Sequence, residues 1–346
     1  MNSTSQIVYF GNSRNMDSIE TESVDLVVTS PPYPMIEMWD DVFSEQNTEI
    51  AGYLTEEDGN SAFEEMHRTL DKVWEECNRV LKEQSFACIN IGDATRKIGD
   101  RFKLYANHSR VTQKFHSMGF DTLPMIHWRK QTNAPSKFMG SGMLPAGAYV
   151  TLENEYILIF RKGGKRVFKT IDEKTNRQRS AFFWEERNTW FSDVWDFKGT
   201  GQKLNSEKSR DRSAAFPFEL AYRLVNMYSV KGDTVLDPFL GIGTTLLATM
   251  ATNRNGIGVE IDDSLREAIF ERMDQFSMVV NKIANDRLQK HRDFVKEYQK
   301  KGKKLKHTNS HYGFPVMGTQ ERNLEIDILS SVSIKKNYML VTYTKP

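Results

Sequence analysis

The sequence predicts an α/β fold in which a mostly parallel sheet is covered by helices on both faces. Short apolar runs of strand length alternate along the chain with segments whose apolar residues recur every three or four positions. The strand-like runs are nearly continuous in Val, Ile, Leu and Phe, which is typical of parallel strands buried on both faces. The 346 residues suffice for one large domain or two modest ones.

The apolar runs predict the strands in order. They are Gln6–Phe10, Val24–Val28, Phe86–Ile91, Thr122–Trp128, Glu155–Phe160, Thr234–Leu236 and Gly256–Glu260. Helices are predicted over Ser61–Lys82, where apolar residues follow a three-and-four spacing, and over Phe218–Tyr228. The segment 133–148 holds three Gly and two Pro without periodicity, so we expect a mobile loop there.

Charge divides the chain further, although the formal net charge is only +1. Residues 161–213 hold fourteen Lys and Arg against eight Asp and Glu, and residues 282–306 hold ten against three. Residues 34–60 hold eight acidic residues and no Lys or Arg, and we interpret them as a lid or outer loop. Such blocks suggest a polyanionic partner that touches some faces only; solvated helix faces are the alternative. We therefore assign 1–160 and 214–281 to the sheet domain, 161–213 to an insertion, and 282–346 to a basic helix and a hairpin.

Composition excludes several classes of protein. No run of about 18 apolar residues is present, so we expect no membrane span. The N-terminus lacks a basic stretch followed by an apolar one, which argues against a secretory signal. The only cysteines, Cys77 and Cys88, provide neither a disulfide framework nor a metal cluster. We expect a reduced, cytoplasmic protein without a metal.

The first motif with chemical content is Thr29-Ser30-Pro31-Pro32-Tyr33, directly after a predicted strand. An aromatic amine is a poor nucleophile, because its lone pair is delocalised into the ring. A site that accepts hydrogen bonds from the NH2 group draws the nitrogen toward tetrahedral geometry. The Ser30 hydroxyl and a backbone carbonyl can accept, the prolines remove competing N–H donors, and Tyr33 offers a flat face to a base. The alternative is a rigid turn that ends a strand.

The second motif runs from Val235 to Thr245 (VLDPFLGIGTT), through a glycine turn between a strand and a helix. Gly241 and Gly243 allow a ligand to approach the backbone, and Glu260, at the end of the next strand, can bind two ribose hydroxyls. A nicotinamide-dinucleotide site is the competing interpretation. Against it, Leu246 stands where the third glycine of that fingerprint is expected, and Asp237 suits a cationic ligand such as S-adenosylmethionine (AdoMet) better than a pyrophosphate.

Together the two motifs resemble the amino-methyltransferases of DNA restriction–modification systems, specifically the permuted (β-type) group in which the tetrapeptide precedes the AdoMet loop. The resemblance extends from Gly11 to about Arg272 and includes Phe216–Leu220 (FPFEL) and Glu153–Gly163 (ENEYILIFRKG). It implies a Rossmann-like methyltransferase sheet with an inserted DNA-recognition region, AdoMet as cofactor, base flipping from double-stranded DNA, and a companion restriction endonuclease that acts separately. Two positions depart from the family pattern. Asn12 replaces an acid, and Ile242 replaces Ser.

In that family a tetrapeptide beginning with Ser usually accompanies methylation of the 4-amino group of cytosine, and one beginning with Asp accompanies the 6-amino group of adenine. Ser30 therefore favours cytosine, with adenine as the nearest alternative. A non-catalytic AdoMet-sensing DNA-binding protein, and methylation of RNA or a protein amide, remain open.

The expected site residues fall into three sets. The catalytic set is Ser30, Pro31, Pro32 and Tyr33. The cofactor-binding set is Asn12, Asp237, Phe239, Gly241, Gly243, Thr244, Thr245 and Glu260. The DNA-binding set is Arg177, Arg179, Arg187, Arg210 and Arg212, although a surface role is the alternative for each arginine. We also expect Asn90 and Asp93 either to orient the base or its proton transfer, or to cap a strand end.

Overall fold

A computed structural model describes residues 2–130, 139–140, 144–198 and 216–345. Its strands are β1 (Asn2–Phe10), β2 (Val24–Thr29), β3 (Leu81–Ile91), β4 (Ala94–Ile98), β5 (Arg101–Tyr105), β6 (Phe120–Arg129), β7 (Met139–Gly140), β8 (Ala148–Tyr149), β9 (Asn154–Lys162), β10 (Val194–Asp196), β11 (Thr234–Asp237), β12 (Asn255–Glu260), β13 (His307–Thr308), β14 (Pro315–Val316), β15 (Ile328–Lys335) and β16 (Tyr338–Thr344). Its α-helices are α1 (Asp40–Gln46), α2 (Glu49–Thr55), α3 (Gly59–Val80), α4 (Asn107–Ser117), α5 (Ile171–Arg179), α6 (Trp184–Trp190), α7 (Phe218–Tyr228), α8 (Thr244–Met250) and α9 (Arg266–Lys300).

One ten-stranded sheet organises the molecule, in the order β10-β6-β9-β3-β2-β11-β12-β1-β16-β15. The five central strands, β3 to β1 in that order, pair in parallel, whereas β9 and β16 run antiparallel to their neighbours. All seven predicted strands and both predicted helices are present, and the predicted C-terminal hairpin, β15–β16, extends the sheet beyond β1. The predicted fold class is confirmed.

Helices cover both faces of the sheet because each carries one apolar stripe. Helix α3 begins where the Asp58 carboxylate accepts hydrogen bonds from the N–H groups of Asn60 and Ser61, and it buries Met66, Leu70 and Trp74. These side chains share one core with α4 and with the face of the sheet formed by residues such as Val27 and Ile89. On the other face, α7 packs against Leu26 and Val28, and α8 and α9 share a third apolar cluster with Val8.

The parallel strands give the sheet two functionally different edges. We call the edge where β1, β2, β3, β11 and β12 end the carboxyl rim, and the opposite edge the amino rim. Ligands of open α/β sheets bind at the carboxyl ends of the strands. Strand β9 runs the other way, so it begins at the carboxyl rim.

The acidic segment 34–60 is not an outer loop, which corrects the expectation from its charge. It forms α1 and α2, which contact one another and α3. Phe43 and Ile50 are fully buried in this packing. Arg96 on β4 donates two hydrogen bonds to the Asp40 carboxylate, at 2.8 and 2.6 Å, which offsets part of the charge.

The first part of the segment after β9, as far as α5, packs at the amino rim. The Asn176 side chain on α5 donates to the backbone oxygen of Lys231 at 2.7 Å, and Arg166 pairs with Asp233 at 2.6 Å, directly before β11 begins. Phe183 joins Leu288 of α9 and Leu324 in a small apolar cluster of its own. Within the described ranges, no helix is long and apolar enough to cross a membrane.

Candidate active site

The two sequence motifs lie side by side at the carboxyl rim. Strands β2 and β11 are neighbours, with Leu26 paired to Val235 and Val27 to Leu236. Directly beyond these pairs, the Thr29 hydroxyl donates to Asp237 Oδ1 at 2.5 Å, and the Thr245 hydroxyl donates to Asp237 Oδ2 at 2.6 Å. The Ser-Pro-Pro-Tyr turn and the glycine turn are therefore adjacent in space.

The Asp237 carboxylate is the buried charge at this junction. Only 1% of the residue is exposed, and burial raises the pKa of Asp237 from its ordinary 3.8 to about 6. Hydrogen bonds from the two threonine hydroxyls and from the Phe239 N–H stabilise the ionised form and keep the pKa from rising further. Above that pKa, the carboxylate places a negative charge beneath the glycine turn, which favours a cationic ligand.

The glycine turn is open on one side. Gly241 and Gly243 have φ angles of +54° and +84°, in the left-handed region, and a Cβ built on Gly241 would meet no atom within 4 Å. The Glu260 carboxylate lies beside this opening. It accepts a 2.7 Å hydrogen bond from the Gly241 N–H and a 2.9 Å bond from the Asp262 N–H. Burial raises the pKa of Glu260, and these bonds oppose the rise.

Asn12 lies at the end of β1, beside β12. Its Oδ1 accepts from the Arg14 backbone N–H at 3.0 Å, and its Nδ2 donates to Gln46 Oε1 at 3.2 Å. The neighbouring Gly11 N–H donates to the Glu260 backbone oxygen at 2.8 Å. Asn12 and Glu260 thus occupy adjoining positions on the rim.

The other residues expected to bind cofactor also hold the turn together. Phe239 packs edge-on against Trp74, with ring centroids 5.8 Å apart. Thr244 is buried, and its hydroxyl accepts from Arg272, which also donates to the Ile242 backbone oxygen at 2.8 Å. Arg272 was not predicted, because nothing in the spacing of α9 connects it to the glycine turn.

A cluster of polar side chains surrounds Ser30. Its hydroxyl lies 3.1 Å from the Tyr33 hydroxyl, which donates to Glu155 Oε2 at 2.9 Å. The Asn90 Nδ2 group donates to that same carboxylate oxygen at 2.7 Å and to the Tyr33 hydroxyl at 2.9 Å. Lys130, at the end of β6, donates to the other carboxylate oxygen, Glu155 Oε1. Sequence reasoning found Ser30, Tyr33 and Asn90 but missed Glu155 and Lys130.

Tyr33 is fixed at both its ring and its hydroxyl. A Cβ built on Gly92 would lie 3.0 Å from Tyr33 Cε2, so the ring packs against a position where only glycine fits without displacement. Burial and the charge of Glu155 raise the pKa of Tyr33 well above its ordinary value, so the phenol stays protonated. Pro31 is buried, and no described residue donates a hydrogen bond to the carbonyls of Pro31 or Pro32.

Asp93 caps a helix. Its carboxylate accepts from the His108 backbone N–H at 3.1 Å and lies 2.8 Å from His108 Nδ1, in the first turn of α4. The His108 ring stacks on Tyr156, with centroids 4.2 Å apart. Of the pair expected to orient the base, only Asn90 therefore belongs to the cluster around Ser30.

Two of the arginines expected to contact DNA lie at the amino rim, away from Ser30. Arg179 pairs with Glu325 at 3.4 Å, and Arg177 stacks on Phe168 at the amino rim, a strand length from Ser30. That these two contact DNA stays a prediction, and any such contact would lie away from the Ser30 turn. Arg187 is exposed on α6, and Arg210 and Arg212 lie outside the described residues.

Comparison with known proteins identifies the family. The family model described as DNA methylase, of the N6/N4 methyltransferases, matches residues 24–271. The chain belongs to the N6/N4 DNA methylase family. It is 51% identical over 325 residues to the Type II methyltransferase M.MthZI of Methanothermobacter thermautotrophicus, a match covering 93% of this chain and 90% of the relative. It is 50% identical over 281 residues to M.MjaI of Methanocaldococcus jannaschii, covering 78% and 91%.

Solved structures agree with this membership. TTHA0409 of Thermus thermophilus, in complex with S-adenosyl-L-methionine, superposes with a TM-score of 0.59 at 31% identity, covering 78% of this chain and 95% of that one. The PvuII DNA methyltransferase (cytosine-N4-specific) shares the fold, with a TM-score of 0.50 at 16% identity, over 82% of this chain and 94% of that one. The resemblance read from the sequence is confirmed at the level of the family.

The methyl donor of this DNA methylase is AdoMet, and the residues of the rim fit it. The open side of Gly241 leaves room for a ligand against the backbone, and the Asp237 charge suits a cation. The Glu260 oxygens each retain an acceptor lone pair beside their backbone bonds. Two acceptors at a strand end can take the two hydroxyls of a ribose.

Proposed function

We propose that this DNA methylase transfers the methyl group of AdoMet to the 4-amino group of cytosine at a specific site in duplex DNA. The proposal is carried by one observation, the hydrogen bond between Thr29 and Asp237. Because of that bond, an amine held by the Ser30 turn would lie next to the methyl donor, AdoMet, held by the glycine turn. Ser30 at the head of the tetrapeptide favours cytosine over adenine.

The proposed chemistry is a direct transfer. AdoMet supplies an electrophilic methyl group bonded to a sulfonium, and the amine nitrogen of the base attacks it. Ser30 Oγ and a carbonyl of Pro31 or Pro32 would accept hydrogen bonds from the amine and free its lone pair for attack. The two prolines offer no N–H donors that would compete for these acceptors. Neither cysteine is suited to covalent attack on the ring, because burial raises the pKa of both Cys77 and Cys88.

The target base must leave the duplex to reach this turn. Extrusion costs a few kcal/mol, which contacts with the DNA backbone must offset. Arg187 is exposed and is proposed as one such contact, as are Arg210 and Arg212. Binding that depends on phosphate contacts weakens steeply as salt concentration rises.

Mass spectrometry of nucleosides tests the proposal. Duplex DNA would be incubated with the protein and AdoMet carrying a deuterated methyl group, and then digested. We expect labelled N4-methyldeoxycytidine, and the label distinguishes new methyl groups from those already present. Labelled N6-methyldeoxyadenosine would overturn the choice of base but keep the class, and the absence of any labelled nucleoside would overturn the proposed function.

A further inference from the structure

We propose that Glu155 is a positioning residue that sets the direction of the hydrogen bonds around Ser30 and receives, through Tyr33, the proton that leaves the methylated amine. The inference rests on the proposed methyl transfer and adds a route for the proton to it. That proton must leave, because nitrogen gains a bond to carbon while still carrying both of its hydrogens.

The direction of the hydrogen bonds follows from the chemistry of the groups. An ionised carboxylate only accepts, so Tyr33 must donate its single hydroxyl proton to Glu155 Oε2, 2.9 Å away. The Tyr33 oxygen can then only accept from Ser30, at 3.1 Å. Ser30 thereby uses its own proton on Tyr33, and its oxygen, which lies 3.4 Å from Asn90 Nδ2, keeps an acceptor lone pair for the amine. Glu155 thus makes Ser30 an acceptor without touching the base.

Asn90 reinforces this direction. Its Nδ2 group donates to Glu155 Oε2 at 2.7 Å and to the Tyr33 oxygen at 2.9 Å, which excludes the reverse orientation of the amide. Only 1% of Asn90 is exposed, and its Oδ1 has no hydrogen-bond partner among the described residues. The cluster therefore holds one buried acceptor that no described residue uses.

The proton that leaves the base nitrogen is balanced by one proton gained at Glu155, by way of the hydroxyl groups of Ser30 and Tyr33. The base nitrogen forms the bond to the methyl carbon as the carbon–sulfur bond breaks with its electron pair on sulfur. One N–H bond then breaks, and its proton passes to Ser30 Oγ. Ser30 gives its own proton to Tyr33, and Tyr33 gives its proton to Glu155, which ends as a neutral carboxylic acid. The raised pKa of Tyr33 means that the phenol is protonated at the start and at the end.

Lys130 provides the link to solvent. It forms an ion pair with Glu155, and 39% of its side chain is exposed against 11% for Glu155. The carboxylate is thus enclosed on the side of Tyr33 and paired on the side of Lys130. A proton taken up at Glu155 can return to water beside the ammonium group before the next turnover.

The test is a double-mutant cycle on single-turnover methylation of DNA, with Glu155→Gln, Tyr33→Phe and the double variant. Glu153→Gln is the matched control, because Glu153 is exposed and two positions away. We expect a loss of about 100-fold or more for each single variant, on the scale of general-base catalysis. The double variant should be no slower than the slower single variant, because either change breaks the same chain. Dissociation constants for AdoMet and the rate of the control should change less than about threefold, a margin below 1 kcal/mol.

Two outcomes would overturn the inference. One is a Glu155→Gln rate within threefold of the control, and the other is losses that multiply in the double variant. If the wild type yields no labelled nucleoside, the proposed function itself fails, which is a different result.

Discussion

The Thr29 hydroxyl donates a 2.5 Å hydrogen bond to the Asp237 carboxylate, and this contact joins two turns that lie 208 positions apart in the sequence. Both residues are buried, with 1% of each exposed. A short bond to a buried carboxylate fixes the two strand ends relative to each other. We expect this bond to set the distance between the Ser30 turn and the glycine turn.

Replacing Thr29 with Val should therefore weaken both the fold and cofactor binding. Val has nearly the same shape but no hydroxyl, so Asp237 would lose one of its donors in a buried position. We expect the free energy of unfolding to fall by about 1–3 kcal/mol and the AdoMet dissociation constant to rise by about 5- to 10-fold, roughly 1 kcal/mol. Urea unfolding and calorimetric titration measure the two effects. Thr29→Ser keeps the hydroxyl and should behave like wild type. If Thr29→Val also had wild-type stability and AdoMet affinity, this bond would contribute to neither.

The raised pKa of Asp237 predicts a pH dependence of stability. In the folded protein the pKa is about 6, against an ordinary value of 3.8, so the folded state holds the proton more tightly than the unfolded state. The contribution of Asp237 to stability is complete at pH values below its ordinary pKa. It is lost as the pH rises through its pKa in the folded protein. Between about pH 4 and about pH 7, the free energy of unfolding should fall by up to about 3 kcal/mol more in wild type than in Asp237→Asn. Parallel pH dependences in urea titrations of the two proteins would contradict the assignment.

Replacing Glu260 should weaken AdoMet binding but leave DNA binding unchanged. Glu260→Ala removes an acceptor at the Gly241 N–H and the two lone pairs proposed for the ribose hydroxyls. We expect the AdoMet dissociation constant to rise by about 10- to 100-fold, because charged hydrogen bonds contribute about 1.5–3 kcal/mol. DNA affinity without AdoMet should stay unchanged. Asp263→Ala, at an exposed position nearby, is the control, and equal effects of the two variants on AdoMet binding would refute the ribose assignment.

Replacing Asp93 should lower the stability of the fold but leave the rate of methyl transfer nearly unchanged. Because its carboxylate caps α4 through the His108 N–H, Asp93→Asn should lower the free energy of unfolding by about 1 kcal/mol. The single-turnover rate should remain within about threefold of wild type, a margin below 1 kcal/mol. A rate loss of tenfold or more with unchanged stability would instead support a role of Asp93 in orienting the base or its proton transfer.

The sequence predicted the fold and the strand-end residues of the candidate site because both depend on local patterns. Apolar runs locate buried strands, and the strand ends locate Asn12, Ser30, Asp237 and Glu260. Parallel strands bring their carboxyl ends to a single edge, so residues far apart in sequence can be assigned to one rim without coordinates. The same rule selected Asp93, with Asn90 named beside it, but Asp93 caps α4.

The rule did not identify Glu155, because β9 is antiparallel to its neighbours. Its residues at the carboxyl rim lie at the start of the strand, where an acid reads as the polar boundary of an apolar run. The orientation of β9 follows from its pairing with β3 and β6, which no local pattern reveals. The one available signal was that the Tyr33 hydroxyl, if buried, needs an acceptor.

The position of Arg177 and Arg179 at the amino rim could not be predicted, for a related reason. A count of charges shows that a segment is basic but not at which edge of the sheet it packs. The bonds from Asn176 to Lys231 and from Arg166 to Asp233 bring this segment to the amino rim. Both bonds depend on tertiary structure, so the composition of 161–213 could not predict them.

Substitution of Ser30 by Ala tests most directly whether the base is held at one turn and the methyl donor at the other. The decisive measurement is the single-turnover rate of Ser30→Ala on duplex DNA, with its AdoMet dissociation constant measured by titration. We expect a rate loss of about 100-fold or more, or roughly 3 kcal/mol of transition-state stabilisation, with an AdoMet dissociation constant within twofold of wild type. A rate equal to that of wild type, or a loss explained entirely by weaker AdoMet binding, would contradict it.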